Sequence, residues 1–256
     1  MPTLTRRALL VVANLLGAVA FLWPFLFSEA VAGAARVLPY LWALVLPALL
    51  IASAQVLLAR DRDIRQVTLM ATLIALAAAV RPLGAGVAGL EPIWVVILLS
   101  GRALGPRAGF LIGSLGMLTS ALITGGVGPW LPYQMMVGAW CGVLPALFPR
   151  LRGRAETVLM VMLGLANGLL AGALLNLWFW PQAVGLAPAI SFIAGADAIT
   201  NLQHWLRNAA LTSMGYDIPR GVLTAALLGV ATPSVLPLLR RATQRTRLVS
   251  SFVDAA

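Results

Sequence analysis

Lysine is absent from this chain, and histidine and cysteine each occur once, as His204 and Cys141. Each shortage excludes a class of chemistry. Without lysine there is no G-x-x-x-x-G-K-[ST] loop, so the chain carries no such site for nucleotide hydrolysis. One cysteine argues against disulfides, iron–sulfur ligation and a zinc finger. One histidine leaves no obvious metal cluster, and no serine stands in a nucleophile-elbow context. Charge is scarce as well. Charged residues make up 10% of the chain, against about 25% in a soluble domain.

What fills the chain instead is apolar. Of 256 residues, 61% are hydrophobic. Several apolar runs approach the length of a membrane crossing, which predicts an all-α polytopic membrane protein embedded in a lipid bilayer. The net charge of +10 comes from 18 arginines. They flank apolar runs and form no single patch, which speaks against nucleic acid as a partner. Arginine without lysine reads as a compositional habit of the source. Arg6 and Arg7 before an apolar run resemble a signal peptide. The run from Ala8 to Phe27 is long enough to span, and no clean small-residue cleavage site follows, so it reads as a retained first helix.

The spacing predicts spans near 8–27, 38–59, 66–81, 91–104, 107–124, 133–149, 157–180 and 220–239. The fourth is too short to cross about 30 Å of hydrocarbon unaided. It needs shielding by neighbours or residues from its flanking turns. Starting with the N-terminus inside and alternating puts 14 arginines inside. The other four, Arg36, Arg81, Arg207 and Arg220, fall outside. That bias favours eight spans with both termini cytoplasmic. The chain then divides into an N-terminal hairpin (1–60), a six-helix core (61–240) and a basic cytoplasmic tail (241–256).

The outer loops are 28–37, 82–90, 125–132 and 181–219. In the longest, Ile199, Leu202, Leu206, Ala209 and Ala210 recur at helical spacing, with Asn201, His204, Arg207 and Asn208 between them. This predicts an amphipathic helix lying over the outer face or dipping into it. A ninth, polar span is the alternative, and the arginine bias disfavours it. Asp217 and Arg220, in TSMGYDIPRG, read as a cap and anchor for the last span.

Residues 101–134 carry the densest punctuation. A basic turn (Gly101, Arg102, Gly105, Pro106, Arg107) leads into an apolar helix with Gly109, Gly113 and Gly116. A rigid turn (Gly125, Gly126, Gly128, Pro129, Trp130, Pro132, Tyr133, Gln134) ends it. Prolines fix φ and glycines permit tight paths, and a rigid loop loses little entropy on binding. Trp130 and Tyr133 offer stacking faces, and Gln134 offers a donor and an acceptor. An interfacial aromatic belt is the plainer reading of Trp130. Gly109 and Gly113 read as internal packing. Arg81 and Glu91 bracket the glycine-rich LGAGVAG loop and serve either as a closing pair or as ligand contacts. Asn176 needs a polar partner inside its span. Ala71, Ala75 and Ala79 make a smooth stripe at i, i+4, i+8, suited to close packing within the fold or against another protein.

The run from Ala78 to Met136, with SGRALGPRAGF and GGVGPWLPYQ as its most specific parts, resembles the substrate-binding S component of an energy-coupling factor (ECF) vitamin transporter. The likeness covers about residues 66–240, and TSMGYDIPRG resembles the start of the last helix in actinobacterial members. It implies a transporter subunit that is no enzyme. Such a subunit captures a vitamin or precursor at the outer face, docks on a transmembrane coupling subunit with two ATPases, and topples to release its cargo. It implies that Ala71, Ala75 and Ala79 meet the coupling subunit. It also implies that Trp130, Tyr133 and Gln134, and more weakly Arg81, Glu91, Asn176, His204 and Trp205, enclose the substrate. Likeness to members suspected of carrying cobalamin makes cobalamin the leading candidate. Riboflavin and queuosine-type precursors stay open. No resident cofactor or metal is implied. Two other classes compete: a membrane-embedded enzyme using His204 and Asp197, and a stand-alone carrier. The scarcity of intramembrane charge disfavours the carrier.

Overall fold

In the computed structural model, all residues are described except 1–2, 28–29, 31, 35–36, 59–63, 85–88 and 254–256. Arg36, Arg60, Arg62 and the middle of the LGAGVAG loop therefore lie outside the described residues. So do the side chains of Arg6, Arg7, Arg245 and Arg247. The described residues form helices and no strands.

The elements follow the apolar runs. They are α1 (Thr3–Leu26), α2 (Leu38–Leu58), α3 (Ile64–Val80), α4 (Ile93–Leu104), α5 (Pro106–Thr124), α6 (Leu131–Val143), α7 (Arg154–Phe179), α8 (Ala198–Asn208) and α9 (Met214–Val253). From α1 to α7 successive helices reverse direction, which creates two ends. One carries Arg102, Arg107, Arg150, Arg152, Arg154 and Arg240 and is called the basic end. The other gathers Trp130, Tyr133, Trp178, Trp180 and Trp205 and is called the aromatic end.

The short α4 solves its length problem by burial. Its 12 residues rise about 18 Å, well short of a bilayer core, but ten of them are buried among α3, α5, α6 and α9. It meets protein on nearly every side and has little lipid to face. Only Gly105 separates it from α5, and its φ of 98° lies where a side chain would be strained. The glycines of α5 pack internally, as their spacing predicts. A Cβ on Gly142 would collide with the Gly109 carbonyl, and one on Gly113 with that of Gly138. The α5 and α6 backbones therefore run in contact.

A buried ionic knot closes the basic end. Arg102 donates through Nε and Nη2 to both oxygens of Glu156, at 2.9 and 2.8 Å. Its remaining donors reach the carbonyls of Pro145, Phe148 and Pro149. Arg240 donates to the same Glu156 carboxylate, which also accepts the Leu151 N–H. One carboxylate thus joins α4, the turn after α6, α7 and α9. The sequence marked Arg102 as part of a basic turn. The structure has it buried and fully engaged.

The largest departure from expectation concerns the final third. The sequence predicts a separate amphipathic helix and a last span starting near 220. Instead α8 passes through a π-helical turn (Ala209–Ser213) straight into α9. The apolar stretch Ala198–Thr243 has 46 residues and is about 69 Å long at 1.5 Å per residue, more than twice a bilayer core. Asp217 is consequently inside a helix and caps nothing. Asp197 is the cap, its Oδ1 accepting from the N–H groups of Ile199 and Thr200. The stretch from 241 that the sequence sets apart as a tail continues α9 as far as Val253.

The faces of α8 are mixed. Ile199, Leu202 and Leu206 are exposed beside Gln203 and Arg207, while Asn201 and Asn208 are buried. The two buried asparagines face polar partners within the fold.

Candidate functional site

The aromatic end is built from α1, α6, α7 and α8. Tyr133, at the start of α6, is 1% exposed and packs edge-on against Phe21 of α1, centroids 5.1 Å apart. Its hydroxyl donates to the Pro39 carbonyl of α2 at 2.9 Å, which ties the N-terminal hairpin to the core. Trp178 packs against both Tyr133 and Trp130. Trp130 itself stays exposed, its indole donating to Gly126 within its own turn. Deeper toward α8, Phe25 of α1 contacts Trp180 and Trp205.

Polar groups line the same end. Arg81, closing α3, donates to the Gln134 side-chain oxygen at 3.2 Å. Asn176 donates to the Ser213 hydroxyl and accepts from Asn208, so the partner it needs comes from α8 and the π turn. Asn201 accepts the Ile193 N–H and donates to the Ile193 carbonyl. His204 bonds the Ser191 carbonyl through Nδ1 at 2.8 Å. That oxygen only accepts, so Nδ1 carries a proton.

Of the two roles open to Arg81 and Glu91, the closing ion pair does not form. Glu91 instead accepts from Arg220 and from the Trp94 indole, each at 2.8 Å. Arg220 also holds Asp217 at 2.7 Å and reaches the Gly168 carbonyl at 3.4 Å. A Cβ on Gly172 would overlap the Asp217 carboxylate, so α7 and α9 close around the cluster because glycines stand there. Nor are His204 and Asp197 joined as a catalytic pair. Asp197 is spent on the α8 cap, where the Thr200 hydroxyl at 2.6 Å and the backbone N–H groups hold its carboxyl below the usual range.

Three indole N–H groups, of Trp42, Trp178 and Trp205, are buried without a hydrogen-bond partner, as are both side-chain polar atoms of Asn167. Trp178 escaped the sequence reading although the run Trp178–Phe179–Trp180 ending α7 was its signal. Asn208 and Ser213 are not marked by the sequence as site residues, because nothing local to them announces that α8 runs on into α9 beside Asn176. Among the described residues no group of three or more His, Cys, Asp or Glu side chains is placed to hold a metal ion.

Residues 65–251 match the family model described as ECF transporter, substrate-specific component. The chain belongs to this family. It is a multi-pass membrane protein and a transporter subunit, the one that binds the small-molecule substrate and associates with ECF transmembrane and ATPase subunits. The matched region begins at the first turn of α3, so the hairpin of α1 and α2 lies outside it. No curated protein and no solved structure matches the chain. The S component carries its alanine stripe on the exposed side of α3: Ala71, Ala75 and Ala79 face outward while Leu73, Ala77 and Ala78 face the core.

Proposed function

We propose that this S component captures a ring-bearing vitamin or vitamin precursor at its aromatic end, with cobalamin the first candidate to test. The observation that carries the proposal is the buried side of α8. It turns Asn201 and Asn208 inward and leaves the buried Trp205 indole N–H without an acceptor. Buried donors without partners are costly, and a ligand carbonyl or amide relieves that cost. Trp130 and Trp178 supply ring faces with Tyr133 packed behind them, and Gln134, Asn176 and His204 supply oriented polar atoms. Arg81 and Glu91 hold the rim through Gln134 and Arg220.

In this reading the aromatic end faces outward and the basic end and both termini face the cytoplasm, in the cell membrane. The chain divides into the accessory hairpin (1–60), the S-component core (61–240) and the basic tail (241–256), of the actinobacterial type that TSMGYDIPRG resembles. Ala71, Ala75 and Ala79 meet the coupling subunit, and two ATPases supply the energy. The exposed position of the stripe on α3 supports this. The deciding experiment is a thermal-shift panel of cobalamin, riboflavin, queuosine-type precursors and other vitamins on the purified chain. One compound stabilising it at micromolar concentration is the expected result. No stabilisation by any of them, together with no copurifying ATPase, refutes the proposal.

A further inference from the structure

At the basic end, α7 and α9 part around a cavity of about 710 Å³. The cause is local. Higher up, Gly164, Gly168 and Gly172 of α7 let the α9 backbone close in, since a Cβ there would strike Ala225, Gly221 or Asp217. Below Gly164 the glycines of α7 give way, and α9 lines the opening with Pro233 and Pro237. These prolines also lack N–H groups, so the carbonyls of Gly229 and Pro233 lose their helical donors.

The cavity wall is cationic. Arg152, Arg154 and Arg240 line it. Its one carboxylate, Glu156, is already held by Arg102 and Arg240. Arg152 and Arg154 are exposed, and no carboxylate among the described residues pairs with them. The first turn of α7 opens here too. Its N-cap Gly153 provides no side-chain cap, which leaves backbone N–H groups for an anion. An independent sign is Thr232. It lines the cavity, is 3% exposed, and its hydroxyl has no hydrogen-bond partner. A buried hydroxyl that no protein group satisfies is a donor open to a ligand.

We propose that this cavity binds the phosphate headgroup of an anionic phospholipid. Arg152, Arg154 and the α7 N-terminus take the phosphate oxygens, in the manner of charge-assisted bonds. Thr232 donates to a hydroxyl oxygen of the glycerol headgroup. The Pro233 carbonyl, which Pro237 leaves without a helical donor, accepts from a headgroup hydroxyl, and this favours a glycerol headgroup over a quaternary ammonium. A lipid fits better than a soluble phosphate because the cavity borders bare apolar surface. Leu151 and Val158 line it and are exposed, and Met162, Val230 and Leu238 continue that surface along α7 and α9. Acyl chains have a track to follow.

The test uses the full-length protein, delipidated and titrated by native mass spectrometry with phosphatidylglycerol, phosphatidylcholine of the same acyl chains, and sn-glycerol 1-phosphate. Wild type should bind phosphatidylglycerol about tenfold more tightly than phosphatidylcholine, a factor equal to one good charged contact. The double variant Arg152→Gln, Arg154→Gln should lose that preference. Arg241→Gln, a cation at the same end outside the cavity, should keep it. Thr232→Val, nearly isosteric, should weaken phosphatidylglycerol alone by about threefold, and it decides the matter if the double variant does not fold. Equal affinity for the two lipids, or a preference untouched by Thr232→Val, overturns the proposal. Displacement of the lipid by glycerol phosphate at similar concentration overturns it in favour of a soluble phosphate ester.

Discussion

Glu91 and Arg220, 129 positions apart in sequence, meet at 2.8 Å and fasten the rim of α4 to α9. Arg220 simultaneously neutralises Asp217, whose side chain is 4% exposed. One guanidinium therefore serves two carboxylates in an apolar setting. Removing it leaves both without a partner cation, and breaking a buried pair from one side costs about 3–5 kcal/mol. Arg220→Met should lower stability in detergent by that order, and adding Glu91→Gln and Asp217→Asn should recover most of it. Thermal unfolding of the single and triple variants checks this. If Arg220→Met unfolds with wild type, the cluster is not structural.

The alanine stripe leads to a prediction of the opposite kind. Ala75 is exposed on α3, so a large side chain there displaces only lipid or a partner. Ala75→Trp should leave thermal stability and vitamin binding unchanged and prevent copurification with the coupling subunit. Lost binding with intact assembly would mean that the two faces have been exchanged.

Most of the helices were legible because lipid-length apolar runs have few other uses. The glycine spacing of α5 announced its packing for the same kind of reason: only missing side chains let backbones touch. Two features were not legible. The α8–α9 run was hidden because Asn201, His204, Arg207 and Asn208 set α8 apart from the apolar run after it, and Asp217 and Arg220 suggested a fresh start. Pro219 stands between those two, yet proline inside a helix forfeits one bond without ending it when packing holds the rest. The partner of Glu91 was hidden because pairing was sought within the loop. A contact spanning 129 residues depends on α7 and α9 closing over Gly168 and Gly172, which no local pattern declares.

The α8 cap yields a pH dependence. Asp197 has its folded-state pKa lowered by its bonds to Thr200 and Ile199. A depressed carboxyl contributes stability that is present above its unfolded value, about 3.9, and is lost as pH falls through the lower folded value. Asp197→Ala should therefore lower the thermal midpoint at neutral pH, and the gap to wild type should close as the buffer is taken below that range. A gap that persists undiminished in acid would assign the effect to something other than the ionised cap.

Trp180 and Trp205 offer a matched pair for locating the substrate. Both rings pack on Phe25. The Trp180 indole donates to the Ile190 carbonyl at 2.7 Å, whereas the Trp205 indole N–H is buried without an acceptor. Tryptophan to phenylalanine removes similar volume at each, so the difference between the two variants isolates the N–H. Trp180→Phe strands a carbonyl and should cost stability by about 1 kcal/mol more than Trp205→Phe. Trp205→Phe gives up a bond that exists only with ligand bound. It should weaken the stabilising vitamin by about tenfold, the worth of one buried hydrogen bond, while the unliganded protein melts almost as before. Calorimetric titration and unliganded melting curves of both variants separate these outcomes. Affinity that survives Trp205→Phe but falls with Trp180→Phe would move the substrate away from α8, toward the loop that carries Ile190.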